Sequence, residues 1–143
     1  MKKIKLIIIF IIFFSNNLLL SIEGQIILKV ENKIITSFQL KNKVLSSLLL
    51  NNQNINQINI DNLKSQTIDT LILVKLKEIE IEKYNLERKE GDLAMRMNDY
   101  LNKISSNNIP NIKNVFKNNG VDFDMFKAEI ETEFLWQNLI FMI

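Results

Sequence analysis

Glycine and proline are scarce in this chain, and their scarcity limits the fold more than any other feature of the sequence. The 143 residues include three glycines and one proline, Pro110. Barrels and sandwiches of short strands need many tight turns, which depend on those two residue types. Cysteine is absent as well, so stability must come from an apolar core and not from disulfides. We therefore predict a mainly α protein.

The first 24 residues have the pattern of an export signal. Lys2, Lys3 and Lys5 precede nine consecutive apolar residues, from Leu6 to Phe14. A helix of nine residues is about 14 Å long, much shorter than the roughly 30 Å hydrocarbon core of a bilayer. We therefore predict a cleavable signal peptide over residues 1–24 and a single small domain over residues 25–143.

A retained leader is the alternative interpretation of the same segment. A helix from Leu6 through Ile22 would be about 26 Å long and would nearly span a bilayer if it tolerated the two asparagines within it. Such a helix would tether the domain to the membrane. Ser21 and Gly24 are small residues near the expected cleavage point, although neither completes an A-x-A pattern.

The charge of the mature chain argues against nucleic acid as a partner. Removal of residues 1–24 takes away three of the 18 basic residues and one of the 16 acidic residues, so that fifteen of each remain. A neutral chain has no charge excess that would attract phosphate groups. It also has no cluster of four or more basic residues that would bind anionic lipid, so we predict contact with a membrane only if the leader is retained.

A short hairpin and a first helix are predicted after the leader. Residues 26–35 contain two β-branched runs on either side of Glu31-Asn32, where asparagine tolerates the positive φ of a tight turn. Thr36 or Ser37 then caps a helix that ends near Leu50. Its apolar positions follow helical spacing: Leu40, Val44, Leu45 and Leu48.

The predicted second helix is long and broadly apolar. Residues 51–59 have no sustained period and indicate a surface loop, after which Asp61 is expected to cap a helix that extends to about Tyr84. One face carries Leu63, Ile68, Leu71, Ile72, Leu76 and Ile79, and Leu73, Val74 and Ile81 widen it. The charged remainder is interpreted as a solvated face: Lys75, Lys77, Glu78, Glu80, Glu82 and Lys83.

Three further helices are predicted in the C-terminal part, which makes about five in total. The third, over residues 91–106, has one apolar stripe of Leu93, Met97, Tyr100, Leu101 and Ile104. Pro110 lies near the start of a short fourth helix, which Asn119-Gly120 ends through a left-handed cap.

Asp122 is expected to start the last helix. The final turns of that helix are apolar almost all round, so they must pack against the core of the chain, a partner or missing polypeptide. Its apolar residues are Phe123, Phe126, Ile130, Phe134, Leu135, Trp136, Leu139, Ile140, Phe141 and Met142.

Most catalytic and metal chemistry is excluded by composition. The chain has neither histidine nor cysteine, which are the usual general base, the thiolate nucleophile and the commonest ligands of zinc, copper and iron. Glu129 and Glu133 share a helix face, but a di-iron site needs Glu-x-x-His partners, so a solvated acidic edge is the interpretation. No glycine-rich phosphate loop occurs. We therefore predict no catalytic residue, no cofactor and no metal.

Several segments resemble the N-terminal region of the SurA family of periplasmic chaperones, which also includes parvulin-type peptidyl-prolyl isomerases. The hairpin Val30–Thr36 resembles that family's V-N-x-x-[VI]-I-[ST] segment. The long second helix, with Leu71-Ile72, falls where the family has its own. The strongest match, to G-[VI]-[DS]-[FY]-x-x-[FY]-[RK]-x-x-[IL]-x-x-[ED], consists of Gly120, Val121, Asp122, Phe123, Phe126, Lys127, Ile130 and Glu133.

The chain departs from the family pattern in two respects. After the long helix the family has a glycine, an apolar pair and a hydroxyl cap, where this chain has Asn85, Leu86, Arg88 and Lys89. Asparagine can still adopt a left-handed cap, whereas lysine cannot replace a hydroxyl. Family members also continue into parvulin domains, and we expect no such domain within these 143 residues. We therefore expect no prolyl isomerase activity from these 143 residues.

The resemblance implies a periplasmic chaperone module that binds unfolded outer-membrane polypeptides through apolar and aromatic surface. The candidate contact residues are Phe134, Trp136, Phe141 and Met142, although aromatic residues at helical spacing belong to a core more often than to a site. The competing interpretation is a non-chaperone structural or interaction module, tethered by its leader or part of a longer isomerase. The sequence leaves the oligomeric state open.

Overall fold

The computed structural model describes residues 24–86, 90–106 and 111–142, which form a two-stranded hairpin followed by five helices. The predicted fold class is therefore confirmed. The strands are β1 (Ile26–Val30) and β2 (Lys33–Thr36), and the helices are α1 (Ser37–Leu50), α2 (Gln57–Lys83), α3 (Glu90–Ser106), α4 (Ile112–Asn118) and α5 (Phe123–Met142). Pro110 and the predicted leader, up to residue 23, lie outside the described residues.

The hairpin turns where the sequence predicts, but its backbone strain lies on a different residue. Strands β1 and β2 are antiparallel, and Val30 pairs with Lys33 across the two-residue turn. The positive φ, 51°, belongs to Glu31 and not to Asn32. A left-handed conformation costs an ordinary L residue about 1–2 kcal/mol, so the turn is strained at Glu31.

Glu31→Gly is accordingly expected to raise the free energy of unfolding by about 0.5–1 kcal/mol. Glycine adopts positive φ without a steric cost, which outweighs its greater freedom in the unfolded chain. Urea denaturation measures the change. Asn32→Gly is the matched control, because Asn32 does not have a positive φ and the substitution only adds freedom to the unfolded chain. Equal stabilisation by both variants would contradict the assignment of strain to Glu31.

Helix α1 begins with the cap that the sequence predicts. The Thr36 hydroxyl oxygen accepts from the backbone N–H of Gln39 at 3.2 Å, and the Gln39 side chain accepts from the backbone N–H of Thr36 at 3.0 Å. This reciprocal pair is a capping box, which satisfies two N–H groups at the helix start. All four predicted apolar positions of α1 are buried: Leu40, Val44, Leu45 and Leu48.

Helix α2 begins earlier than predicted, so the assignment of Asp61 as its cap is wrong. The Asn56 side chain accepts from the backbone N–H of Asn59 at 2.9 Å and caps the helix. Asp61 lies one turn inside, where it accepts from the Gln57 amide at 3.0 Å. The side chain of Leu76, predicted on the buried face, is exposed.

Helix α4 ends and helix α5 begins at the residues that the sequence predicts. Gly120 has φ +69° and ends α4, and the backbone N–H of Val121 donates to the Phe116 carbonyl at 2.9 Å. The Asp122 carboxylate accepts from the backbone N–H groups of Asp124 and Met125, at 2.9 and 3.0 Å, and caps α5. Asn85, after α2, also adopts the left-handed conformation expected for it.

Helix α5 is the centre of the bundle, because it contacts each of the other four helices. Its first half packs in a cluster with Leu45, Ile112, Phe116, Val121 and Phe126. Its second half packs in another cluster with Ile81, Leu93, Leu135 and Leu139. A third cluster joins the hairpin, α1 and α2 through Ile35, Leu40, Val44, Leu48 and Leu71.

Polar contacts fix α5 against α1 and α2. Glu129 pairs with Lys43 of α1, and Glu133 pairs with Lys77 of α2 at 2.6 Å. The interpretation of these glutamates as a solvated acidic edge is therefore wrong, because both are partly buried between helices. The predicted solvated face of α2 likewise includes Lys77, which reaches across to α5.

Candidate functional site

The C-terminal half of α5 leaves a large apolar surface at one end of the bundle. Leu135 and Leu139, one turn apart, are buried against α2 and α3. The apolar side chains of the last turn are exposed: Ile140 by 52%, Phe141 by 87% and Met142 by 71%. We name this surface the apolar end and define it by six exposed residues: Leu73, Leu76, Tyr84, Ile140, Phe141 and Met142.

A first groove lies between α3 and the tip of α5. It has a volume of about 570 Å³. Its apolar lining consists of Tyr84, Leu86, Leu93, Leu135, Phe141 and Met142, and its polar lining consists of Asn85, Asp92, Arg96 and Asn138. An aromatic or large aliphatic side chain fits the dimensions and the composition of this groove.

A second groove lies on the other side of α5, against α2. Its volume is about 430 Å³. It is lined by Leu73, Leu76, Ile79, Tyr84, Trp136 and Leu139, together with Glu31, Lys77, Glu80 and Lys83. Tyr84 belongs to both grooves, so the two form one continuous surface around the end of α5.

Three of the four predicted contact residues lie at these grooves. Phe141 and Met142 line the first groove, and Trp136 lines the second. Phe134 lines neither: its ring lies 6.4 Å from that of Tyr100 and 5.1 Å from the guanidinium of Arg96. Phe134 is thus placed as a packing residue beneath the surface.

Sequence reasoning missed the contribution of α2 to this surface. Leu73 and Leu76 were assigned to the apolar arc of the helix, and the arc is wider than the neighbouring helices cover. Tyr84 follows the last residue of α2, where the sequence predicts only the end of the helix. An aromatic residue at the end of a helix whose apolar arc exceeds one face is the signal that points to such a surface.

The cations at the grooves have partners within the chain. The Lys77 ammonium contacts both oxygens of Glu133 at 2.6 Å and lies 6.0 Å from the centre of the Trp136 ring. Arg96 donates to the Asn138 side chain at 3.0 Å. The hydrogen bond and charge of Glu80 raise the pKa of Lys83. The surface therefore has little free positive charge to attract an anionic ligand.

Tyr100 packs against the rings of Phe126 and Phe134, and its pKa has a measurable consequence. Burial raises the pKa of its hydroxyl above the ordinary value of 10.0, because the folded chain disfavours the phenolate. Above about pH 10 the unfolded chain therefore loses this proton first. Stability contributed by Tyr100 is full below that pH and is lost as the pH rises through the higher pKa of the folded state.

Tyr100→Phe is expected to make the loss of stability above pH 10 shallower than in the wild type. Urea denaturation at a series of alkaline pH values measures the slope. Tyr84→Phe, which removes a hydroxyl from an exposed ring, is the matched control. If Tyr100→Phe and the wild type lost stability at the same rate, Tyr100 would not be the source of the effect.

The apolar character of this surface suits non-covalent binding. Histidine and cysteine are absent from the sequence, and the described residues contain no group of three acidic side chains that could hold a metal ion. Within the same described ranges, none of the helices has the length and hydropathy that a membrane crossing requires. The surface can bind apolar groups by excluding water from them.

Comparisons of the chain with protein-family models, with curated proteins and with solved structures each found no match. The resemblance to the SurA family therefore stays a prediction that rests on the residues quoted for it. The assignment of a site rests on the geometry of the apolar end.

Proposed function

We propose that this chain is an exported chaperone module, similar to the N-terminal region of SurA, which binds unfolded outer-membrane polypeptides in the periplasm. The observation that carries the proposal is the apolar end, with two grooves beside exposed aromatic residues. Monomeric soluble proteins rarely expose apolar patches larger than a few hundred Å², and larger ones mark interaction sites. The leader-like segment supports the periplasmic location, and a retained leader would place the module at the inner membrane.

The two grooves suit an extended client better than a compact one. They adjoin along α5, with Phe141 and Met142 in the first, Trp136 and Leu139 in the second, and Tyr84 in both. Strands of outer-membrane barrels place apolar side chains on alternate residues, and residues i and i+4 of an extended chain lie about 13 Å apart on one face. An extended client segment therefore offers apolar side chains in series to two adjoining grooves.

The strength of each contact explains release without an energy source. A buried aromatic side chain removes about 150–250 Å² from water, which is worth roughly 4–6 kcal/mol at about 25 cal/mol per Å². Association itself costs an estimated 4–15 kcal/mol. A single contact is therefore too weak to hold a client, and several contacts together hold it reversibly. No residue is proposed to catalyse prolyl isomerisation.

The test is suppression of aggregation when a denatured outer-membrane barrel is diluted into buffer that contains the full chain. The wild type is expected to suppress aggregation at stoichiometric amounts. Phe141→Asp should lower this capacity at least fivefold, because a carboxylate in the first groove opposes apolar burial. Ile58→Asp is the matched control, since Ile58 is similarly exposed but lies about 39 Å away from Tyr84 along α2.

Two outcomes would contradict the proposal. One is a folded, soluble wild-type chain that does not reduce aggregation of the barrel. The other is an equal loss of activity in Phe141→Asp and Ile58→Asp, which would place client binding outside the apolar end. N-terminal sequencing of the exported protein tests separately whether the leader is removed.

A further inference from the structure

The apolar end combines a projection and a recess on one face. Phe141 is the most exposed large apolar side chain of the described residues, and it stands at the edge of the first groove. That groove is itself lined by apolar side chains that an aromatic ring can cover. A surface with both features side by side can meet a copy of itself across a two-fold axis, with the projection of each copy at the recess of the other.

The area of the apolar end matches what a stable dimer needs. Its six residues have exposed fractions between 43% and 87%. At about 200 Å² for a fully exposed large apolar side chain, these fractions amount to roughly 700 Å². Standard protein interfaces bury about 800 Å² per partner, whereas the largest patch on a typical monomer is about 300–600 Å².

The charges around the apolar end do not oppose such a contact. Lys77 pairs with Glu133, and Lys83 pairs with Glu80, all within one chain. The first groove adds one acidic and one basic side chain, Asp92 and Arg96, so a second copy that approaches across a two-fold axis meets both signs there and not an excess of one. Repulsion between like charges, the usual electrostatic obstacle to self-association, is small here.

We propose that the apolar end is a two-fold symmetric interface between two copies of this chain, in which Phe141 of each copy enters the first groove of the other. Tyr84 and Met142, which line the same groove, and Ile140, which precedes Phe141 in the chain, flank the contact. The proposal does not depend on the chaperone function. If both hold, clients and the second copy compete for one surface, so that dimer formation covers the binding site when no client is present.

The test measures the mass of the full chain in solution by sedimentation equilibrium between 1 and 200 µM. The wild type is expected to reach twice the mass of the denatured polypeptide. Each interface contains Phe141 twice, so Phe141→Asp should raise the dimer dissociation constant at least 100-fold. Ile58→Asp should leave the constant unchanged. Circular dichroism shows whether each variant is folded.

Disulfide trapping gives a second measurement that does not depend on a destabilising charge. The chain has no cysteine, so a single introduced thiol can pair only with its copy in another chain. Ile140→Cys is expected to form a covalent dimer under mild oxidation in high yield, whereas Ile58→Cys should not, although Ile58 is the more exposed of the two positions, at 73% against 52%.

Three results would overturn the proposal. The wild type could remain monomeric at 200 µM, Phe141→Asp could dimerise as well as the wild type, or the two cysteine variants could cross-link equally. A chain that stays monomeric but still suppresses aggregation of the barrel would remove the dimer and leave the chaperone function. A dimer that does not suppress aggregation of the barrel would contradict the chaperone function and leave the dimer.

Discussion

Phe116→Ala is expected to lower the free energy of unfolding by about 4 kcal/mol. The Phe116 side chain is fully buried, and its ring packs edge to face against Phe126, with 5.1 Å between ring centres. Phe123 packs against it from a second direction, at 6.3 Å. Truncation leaves a cavity among α1, α4 and α5 that the neighbouring side chains cannot fill. Domains of this size are stable by about 5–15 kcal/mol, so the variant should be marginally folded at 37 °C.

Phe141→Ala is the matched control for this truncation. It removes the same atoms from a ring that is 87% exposed, so the free energy of unfolding should change by no more than about 0.5 kcal/mol. Urea denaturation of both variants, monitored by circular dichroism at a dilution that favours the monomer, makes the comparison. Similar losses in the two variants would mean that Phe116 is not the centre of the core cluster described for it.

Asn42→Leu is expected to cost about 2–4 kcal/mol, although the substitution makes the side chain more apolar. Asn42 is 2% exposed and holds the backbone of Asp122 from both sides. Its amide nitrogen donates to the Asp122 carbonyl at 3.1 Å, and its amide oxygen accepts from the Asp122 N–H at 2.6 Å. Leucine has a similar size but leaves the Asp122 N–H without its acceptor, while the Asp122 carbonyl keeps only the Phe126 N–H, at 3.3 Å. An unsatisfied donor costs about 1–3 kcal/mol, and the hydrogen bond lost at the carbonyl costs about 1 kcal/mol more.

The comparison for Asn42 uses two further variants. Asn114→Leu, on the exposed face of α4, should change stability by less than about 0.5 kcal/mol. Asn42→Asp keeps the acceptor but places a carboxylate against the Asp122 carbonyl, so it should be destabilising as well. If Asn42→Leu were as stable as Asn114→Leu, the contact between α1 and the start of α5 would not matter for stability.

The caps show which local features can be predicted and which cannot. Thr36 and Asp122 were predicted because each is a good capping residue at the start of an apolar period, and capping involves only the next three residues. Asn56 was missed because the segment from 51 to 59 contains several asparagines, each able to cap. The choice among them depends on where α2 meets its neighbours.

The candidate site also combines features that the sequence predicts with features that it does not. Phe141 and Met142 could be predicted as contacts because the last turns of α5 are apolar on every side, so no orientation buries them all. Phe134 is predicted as a contact residue but packs beneath Arg96, whereas Leu76 is predicted on the buried face of α2 but is exposed. Both side chains are strongly apolar, so hydrophobicity does not show which of them is buried. The position of the neighbouring helix decides it.

The sequence by itself determined the helical class, the hairpin turn and the end of α4 at Gly120, because these follow from residue types and from spacing within a few positions. The tertiary structure decided which apolar residues stay uncovered at the apolar end and which charges pair. Glu129 and Glu133 find Lys43 and Lys77 only when α5 packs between α1 and α2. Such contacts join residues far apart in the chain, and periodicity along a single helix carries no information about the helix that will face it.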